Sequence, residues 1–304
     1  MSIIQIVESK ILDLNFNETP IIVISGPTGI GKSNLAISLA KKINGVIINA
    51  DSMQIYKELK IISSQPSDRD KKTILHELYG IRSIYQKFSV MNWFELVEKK
   101  IGAIFNNNKI PIIVGGTGLY IKSAINGISK IPKVDKEVFK DCEKIFEKIG
   151  ILEFRKLVEE IDKDFILKNI DKQRLIRAYS VYLQTGKSIT DWYNSSKINK
   201  IYNTFFSILL EQEREKNYQN CENRFEEFIN KGAIEEVKFL KDRDFDRSLP
   251  GFKCLGVNWI LKYLENEISL IDAIMLSKRD TRRYVKRQLT WFRHNLNPDL
   301  ILKI

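Results

Sequence analysis

Gly26-Pro27-Thr28-Gly29-Ile30-Gly31-Lys32-Ser33 fits the phosphate-loop pattern G-x-x-x-x-G-K-[ST] in full. The apolar run Ile21-Ile22-Val23-Ile24-Ser25 precedes it and reads as a buried parallel strand. Asn34 to Lys42 follows with few breakers and reads as a helix. Strand, glycine-rich turn and helix are the context the motif requires. Glycines let the backbone wrap close to an anion with its N–H groups pointing inward, and the helix start adds a partial positive charge. Lys32 supplies a full charge, and Ser33 can reach a magnesium ion. The segment therefore predicts a site for a group carrying two or more phosphates.

The alternation continues. Val46 to Ala50 reads as a second strand, Trp93 to Asn106 as a helix and Ile110 to Val114 as a third strand. Such alternation predicts a parallel sheet with helices on both faces. The phosphate loop follows the first strand, Asp51 the second, and Gly115-Gly116-Thr117 the third. Ligands of open α/β sheets bind beyond the carboxyl ends of the strands, so these segments should meet on one rim. From Pro132 to Ser196 the pattern is helical, with Gly150 as a helix stop. Thr204 to Leu210 returns as a strand. Helices follow at Tyr218–Lys231, Ala233–Lys241, Asn258–Leu264 and Ser269–His294. The expected fold is α/β: a P-loop NTPase-like parallel sheet core with a helical insertion domain and a helical C-terminal part. The expected boundaries are 1–131 for the first part of the core, with an extra N-terminal helix, 132–202 for the insertion, and 203–304 for the rest.

No apolar run approaches membrane-spanning length, and Met1 to Thr19 lacks the layout of a secretion signal. Cys142, Cys221 and Cys254 are odd in number and far apart, and only His76 and His294 are present. A disulfide framework or a zinc site is not expected, and the cytoplasm is the expected compartment. The formal net charge of +11 fits either a polyanionic partner or a general lysine bias. Its distribution favours the partner. Lys278, Arg279, Arg282, Arg283, Lys286, Arg287 and Arg293 crowd one helix against Asp280 alone, interleaved with Tyr284, Trp291 and Phe292. Such a helix can neutralise phosphates and offer a base a stacking surface.

Asp51 lies in Asn49-Ala50-Asp51-Ser52-Met53-Gln54-Ile55-Tyr56. A carboxylate there can hold magnesium, act as a general base, or cap a helix. Ser52 and Gln54 suit the edge of a nucleobase. Thr117 offers a hydroxyl to a phosphate oxygen, while Tyr120 is expected to pack. Arg174 and Arg177, three apart, share a helix face suited to phosphate and base edges or to surface ion pairs.

Together these segments resemble the tRNA dimethylallyltransferases (tRNA isopentenyltransferases, the IPP transferase family). The matching pieces are the phosphate loop, Asn49–Tyr56, His76 with Leu78, Gly115–Tyr120, Asp171–Ala178, Cys254–Gly256 and Tyr284–Arg293, in the family's order. The resemblance implies transfer of a dimethylallyl group from dimethylallyl diphosphate to the exocyclic amine of the adenosine next to the anticodon (position 37) of tRNAs reading codons that begin with U, with release of diphosphate. It implies Mg²⁺ as cofactor, the tRNA anticodon arm as partner, and an insertion that helps clasp that arm. A monomer is compatible with the fold. By the same resemblance Gly26, Pro27, Thr28, Gly29, Ile30, Gly31, Lys32 and Ser33 would cradle the diphosphate. Asp51 would be the base, Thr117 would touch the diphosphate, and Arg224 would clamp it. Asp51, Ser52, Met53, Gln54, Thr117, Gln173, Arg174, Leu175, Ile176, Arg177, Lys253, Cys254, Gly256, Lys286 and Arg287 would contact tRNA. Three positions depart from the family pattern. Gln65 replaces a lysine, Val257 a tyrosine, and Phe139 stands where relatives place a tRNA-contacting arginine. Rival readings are a small-molecule or nucleotide kinase on the same fold, and a non-catalytic RNA-binding protein.

Overall fold

The computed structural model describes residues 5–7, 9–10, 19–165, 171–243 and 246–304. Residues 5–7 and 9–10 are helical, and Val7 is buried in the core; the rest of the expected N-terminal helix lies outside the described residues. The chain divides into two compact units, residues 1–126 with 201–304, and residues 127–200.

The larger unit is built on six strands: β1 (Ile21–Ser25), β2 (Gly45–Asn49), β3 (His76–Glu77), β4 (Ile110–Gly115), then β7 (Phe205–Glu211) and β8 (Leu300–Lys303). Their order across the sheet is β3-β2-β4-β1-β7-β8, and every pairing is parallel. β1 sits mid-sheet, with Ile22 beside Ile112 on one side and Phe206 on the other. Both faces of β1 and β2 are buried, which is why these strands read as continuous apolar runs. Helix α1 (Lys32–Ile43) packs Ala36, Leu39 and Ala40 into a core with Ile22, Ile24, Ile47, Ile112 and Ile208. After α2 (Asp68–Thr73), helix α3 (Val90–Asn106) starts at a Ser89–Asn92 capping box. It buries Trp93, Phe94, Val97 and Ile101 and packs against β4 and against α4 (Gly118–Asn126). Tyr120 is buried and stacked on Trp93, as its expected packing role requires.

The smaller unit is mainly helical. Helix α5 (Lys136–Ile161) is interrupted at Gly150, whose φ of 77° and ψ of 174° lie outside helical space. The expected stop is thus a break after which the helix resumes. α5 packs on α6 (Lys172–Thr185), which is N-capped by Asp171 and ended by Gly186 in the left-handed conformation. α7 (Ile189–Ser195) follows. Cys142, Phe154, Val158, Leu175, Ile176 and Val181 form this unit's own core. A two-residue antiparallel pair, β5 (Ile128–Ser129) with β6 (Ile198–Asn199), joins its ends.

Back in the larger unit come α8 (Arg214–Asn230), α9 (Ala233–Lys241), α10 (Val257–Leu264) and α11 (Leu270–Asn295). α11 packs against α10, α8 and α4. Val257 is fully buried in the core formed by α8, α9 and α10, so this departure is a packing residue. Phe139 likewise packs against the core of the smaller unit.

Candidate functional site

Parallel pairing puts the C-terminal ends of the adjacent strands β2, β4 and β1 on one rim. The loops after them line a cavity of about 280 Å³, walled by residues 28–34, Asp51, Gln54, Ser63, Ser64, Tyr79, Val114, Gly115 and Arg224. The tight approach of the second and third loops depends on Gly115: a Cβ there would lie 2.1 Å from the Ala50 carbonyl oxygen.

Lys32 donates to the Gly26 and Pro27 carbonyls at 2.9 and 2.7 Å. Burial pushes its pKa down to about 8, while the Asp51 charge works against that shift. Arg224 reaches the loop from α8, where its guanidinium bonds the Thr28 hydroxyl and lies over the Phe228 ring. Its pKa is lowered by burial, and its Nε is buried with no hydrogen-bond partner. A buried cation with an unsatisfied donor calls for an anion.

Asp51 is held by its neighbours. The buried Asn49 side chain accepts from the Asp51 N–H at 2.8 Å and donates to the Asp51 and Leu78 carbonyls at 3.0 and 3.1 Å. Asp51 Oδ1 accepts from the Met53 N–H at 2.9 Å. This is a local turn contact, and it leaves the carboxylate half-buried at the cavity wall. Thr117 Oγ1 accepts from the Ser52 N–H at 2.9 Å and donates to Ser52 Oγ at 3.2 Å, joining the loops after β2 and β4. Gln54 donates to the Ser63 and Ser64 carbonyls at 2.9 and 2.7 Å, so its amide nitrogen holds a loop. Gln65, the departure from lysine, donates to the Tyr56 carbonyl at 2.8 Å, and its Oε1 is buried without a partner. Tyr79 joins the wall unanticipated; burial first and Asp51 second push its pKa up.

The remaining candidates divide by exposure. Gln173, Arg174, Lys253, Lys286 and Arg287 are exposed. Arg177 is half-buried and donates to the Pro132 carbonyl at 3.0 Å, so the expected matched pair with Arg174 is unequal. Leu175 and Ile176 lie in the core of their own unit, Cys254 is buried, and Gly256 begins α10 at a φ of 91°. The Leu175, Ile176 and Cys254 side chains face protein, which leaves surface contacts to the polar residues beside them. On α11, Lys278 pairs with Glu226, Arg282 with Glu222, Arg283 with Asp280 and Arg293 with Glu211, so much of the basic run is neutralised internally. Arg287 lies over the Tyr284 ring.

Gln288 adds a residue that the sequence did not mark individually. It ties the Thr28 N–H to the Gly116 carbonyl from α11, a link across 260 and 172 residues of chain. Its place inside the Tyr284–Arg293 segment was the only signal the sequence offered.

No described group of three His, Cys, Asp or Glu side chains could hold a metal. The Ser33 and Asp51 oxygens on the same cavity fit an ion such as Mg²⁺, which draws most of its ligands from phosphates and water. No helix among the described residues is long and apolar enough to cross a membrane.

Fold and site define a phosphate-loop protein whose anion cage shares one cavity with a carboxylate. The IPP transferase family model matches residues 54–295. A tRNA dimethylallyltransferase of Ehrlichia chaffeensis is 40% identical over 92% of each chain. One of Pelagibacter ubique is 41% identical, covering 91% of this chain and 89% of its own. Among solved structures, a eukaryotic dimethylallyltransferase acting on tRNA superposes with a TM-score of 0.80 at 26% identity, covering 94% of this chain and 74% of that one. The full-length tRNA isopentenylpyrophosphate transferase of Bacillus halodurans gives 0.67 at 29% identity, covering 94% and 90%. The chain belongs to the IPP transferase family. Its phosphate loop and Asp51 precede the stretch that the family model matches, so their assignment rests on the cavity they share.

Proposed function

We propose that this protein transfers a dimethylallyl group from dimethylallyl diphosphate to the exocyclic amine of the adenosine next to the anticodon of tRNA, releasing diphosphate. The observation that carries this is one cavity lined by Lys32, Arg224 and Asp51 together. A kinase can also place a carboxylate beside its phosphate loop, and an RNA-binding protein could use the loop as a phosphate grip; the IPP transferase family match over residues 54–295 favours transfer over both.

The allylic carbon–oxygen bond breaks and its electron pair leaves on the diphosphate. Lys32, Arg224 and the loop N–H groups stabilise that growing charge. The amine nitrogen forms the new bond to carbon, and Asp51 takes the proton the nitrogen sheds. The amine is a weak nucleophile because its lone pair is delocalised into the ring, so the departing charge and the accepted proton must be handled together. The target adenine must leave its stack to enter the cavity. Ser33 would hold Mg²⁺, which when bound would neutralise diphosphate charge. Lys286, Arg287, Lys253, Gln173 and Arg174 would grip the RNA. We read the protein as a cytoplasmic monomer.

Nucleoside analysis of unmodified tRNA incubated with dimethylallyl diphosphate and Mg²⁺ tests this. The expected product is one five-carbon unit on the adenosine beside the anticodon. Robust ATP turnover without RNA, and no transfer, would support a kinase instead.

A further inference from the structure

We infer that Gln288 is a positioning residue for the reaction: it bolts the phosphate loop to the loop carrying Thr117, and so sets the rate of transfer. This rests on the transferase reading above.

Gln288 is buried in α11. Its Oε1 accepts from the Thr28 N–H at 2.9 Å, and its Nε2 donates to the Gly116 carbonyl at 2.8 Å. One planar amide thus satisfies a donor on one loop and an acceptor on the other. A primary amide carries a donor and an acceptor side by side on one planar group at neutral pH. The fit is close: a Cβ at Gly116 would lie 2.5 Å from Nε2, so the glycine there admits the amide.

Thr28 is fixed on its other sides too. Its carbonyl accepts from Asn217 Nδ2 at 3.1 Å and Cys221 Sγ at 3.3 Å, and its hydroxyl meets Arg224. Those three residues come from α8, whereas Gln288 is the contact from α11. The Thr28 N–H is therefore turned toward α11. This fixes the Pro27–Thr28 peptide and with it the curve of the cage. The Gly116 end fixes the peptide just before Thr117, whose hydroxyl holds Ser52 beside Asp51. Gln288 thereby sets the spacing between the groups on the departing oxygen and the base on the attacking nitrogen. Lys286 and Arg287 precede it on the same helix, so the RNA grip and the cage share one rigid element.

The test compares wild type with Gln288→Leu, which fills the volume without either bond. It adds Gln288→Glu, which keeps the acceptor but loses the donor. Displacement of reacting groups by about 1 Å should lower kcat about 10²-fold in both, while the KM for tRNA stays within about threefold. Thermal unfolding of each variant is measured alongside. A kcat near wild type in either variant would overturn the proposal. So would equal losses in kcat and tRNA affinity, or failure of both variants to fold, since each marks a structural role alone. Should wild type itself show no transfer, the transferase reading falls, and that outcome is distinct from the variants matching an active wild type.

Discussion

Lys32 carries a charge the fold makes costly, because burial holds its pKa at about 8. The charged form dominates below that value and is lost as pH rises through it. A bound diphosphate favours the charged form, so its affinity must fall across the same window. Pyrophosphate also titrates, and a Lys32→Met variant removes that contribution from the comparison. The wild-type affinity for inorganic pyrophosphate, divided by that of the variant, should fall about tenfold between pH 7 and pH 9. Calorimetry at several pH values checks this; a flat ratio would mean Lys32 does not meet the anion. At this scale the sequence was informative where a residue acts through local pattern. The phosphate loop and Asp51 were legible because strand, turn and helix are local, and Thr28 to Ser33 line one cavity with Asp51. Gln288, Tyr79, Ser63 and Ser64 were not, because their places depend on contacts between segments far apart in the chain. Asn49, read only as part of a motif, proves to be the buried amide that shapes the Asp51 turn.

Among the elements, the long apolar strands and the capped helices were the readable ones. β3, with two residues, and β8, a four-residue strand near the C-terminus, were missed. Neither is long enough to show a period. β8 is secured instead by Asp299, which accepts from the Ser207 N–H at 2.7 Å beside the neighbouring strand. The basic helix α11 was legible as basic, but its ion pairs with α8 were not. Those pairs distinguish its charges. Lys286 and Arg287 face outward, whereas Lys278 is spent on Glu226. Alanine at Lys286 or Arg287 should weaken tRNA binding and reduce its log–log salt slope by about 1 each. Alanine at Lys278 should change that slope much less. Binding titrations over a range of KCl concentrations compare them; equal effects at all three would show that the ion pairs do not set which charges meet RNA.

For the molecule as a whole, a parallel sheet supplies the rim and a separate helical unit carries its own core. Leu175 is fully buried in that second core. Leu175→Ala should therefore cost about 2–5 kcal/mol of the stability of residues 127–200. Hydrogen exchange resolved by segment reads this: protection should drop in α5 and α6 and hold in β1 and β4, and a uniform drop would mean the two units unfold as one. Transfer requires the anion cage and the base to act in one event. The most direct measurement is the single-turnover rate of dimethylallyl transfer to tRNA by Asp51→Asn, whose amide oxygen can still accept from the Met53 N–H. The rate should fall about 10²–10⁴-fold with tRNA affinity nearly unchanged. A rate close to wild type, or a loss matched by an equal loss of affinity, would contradict it.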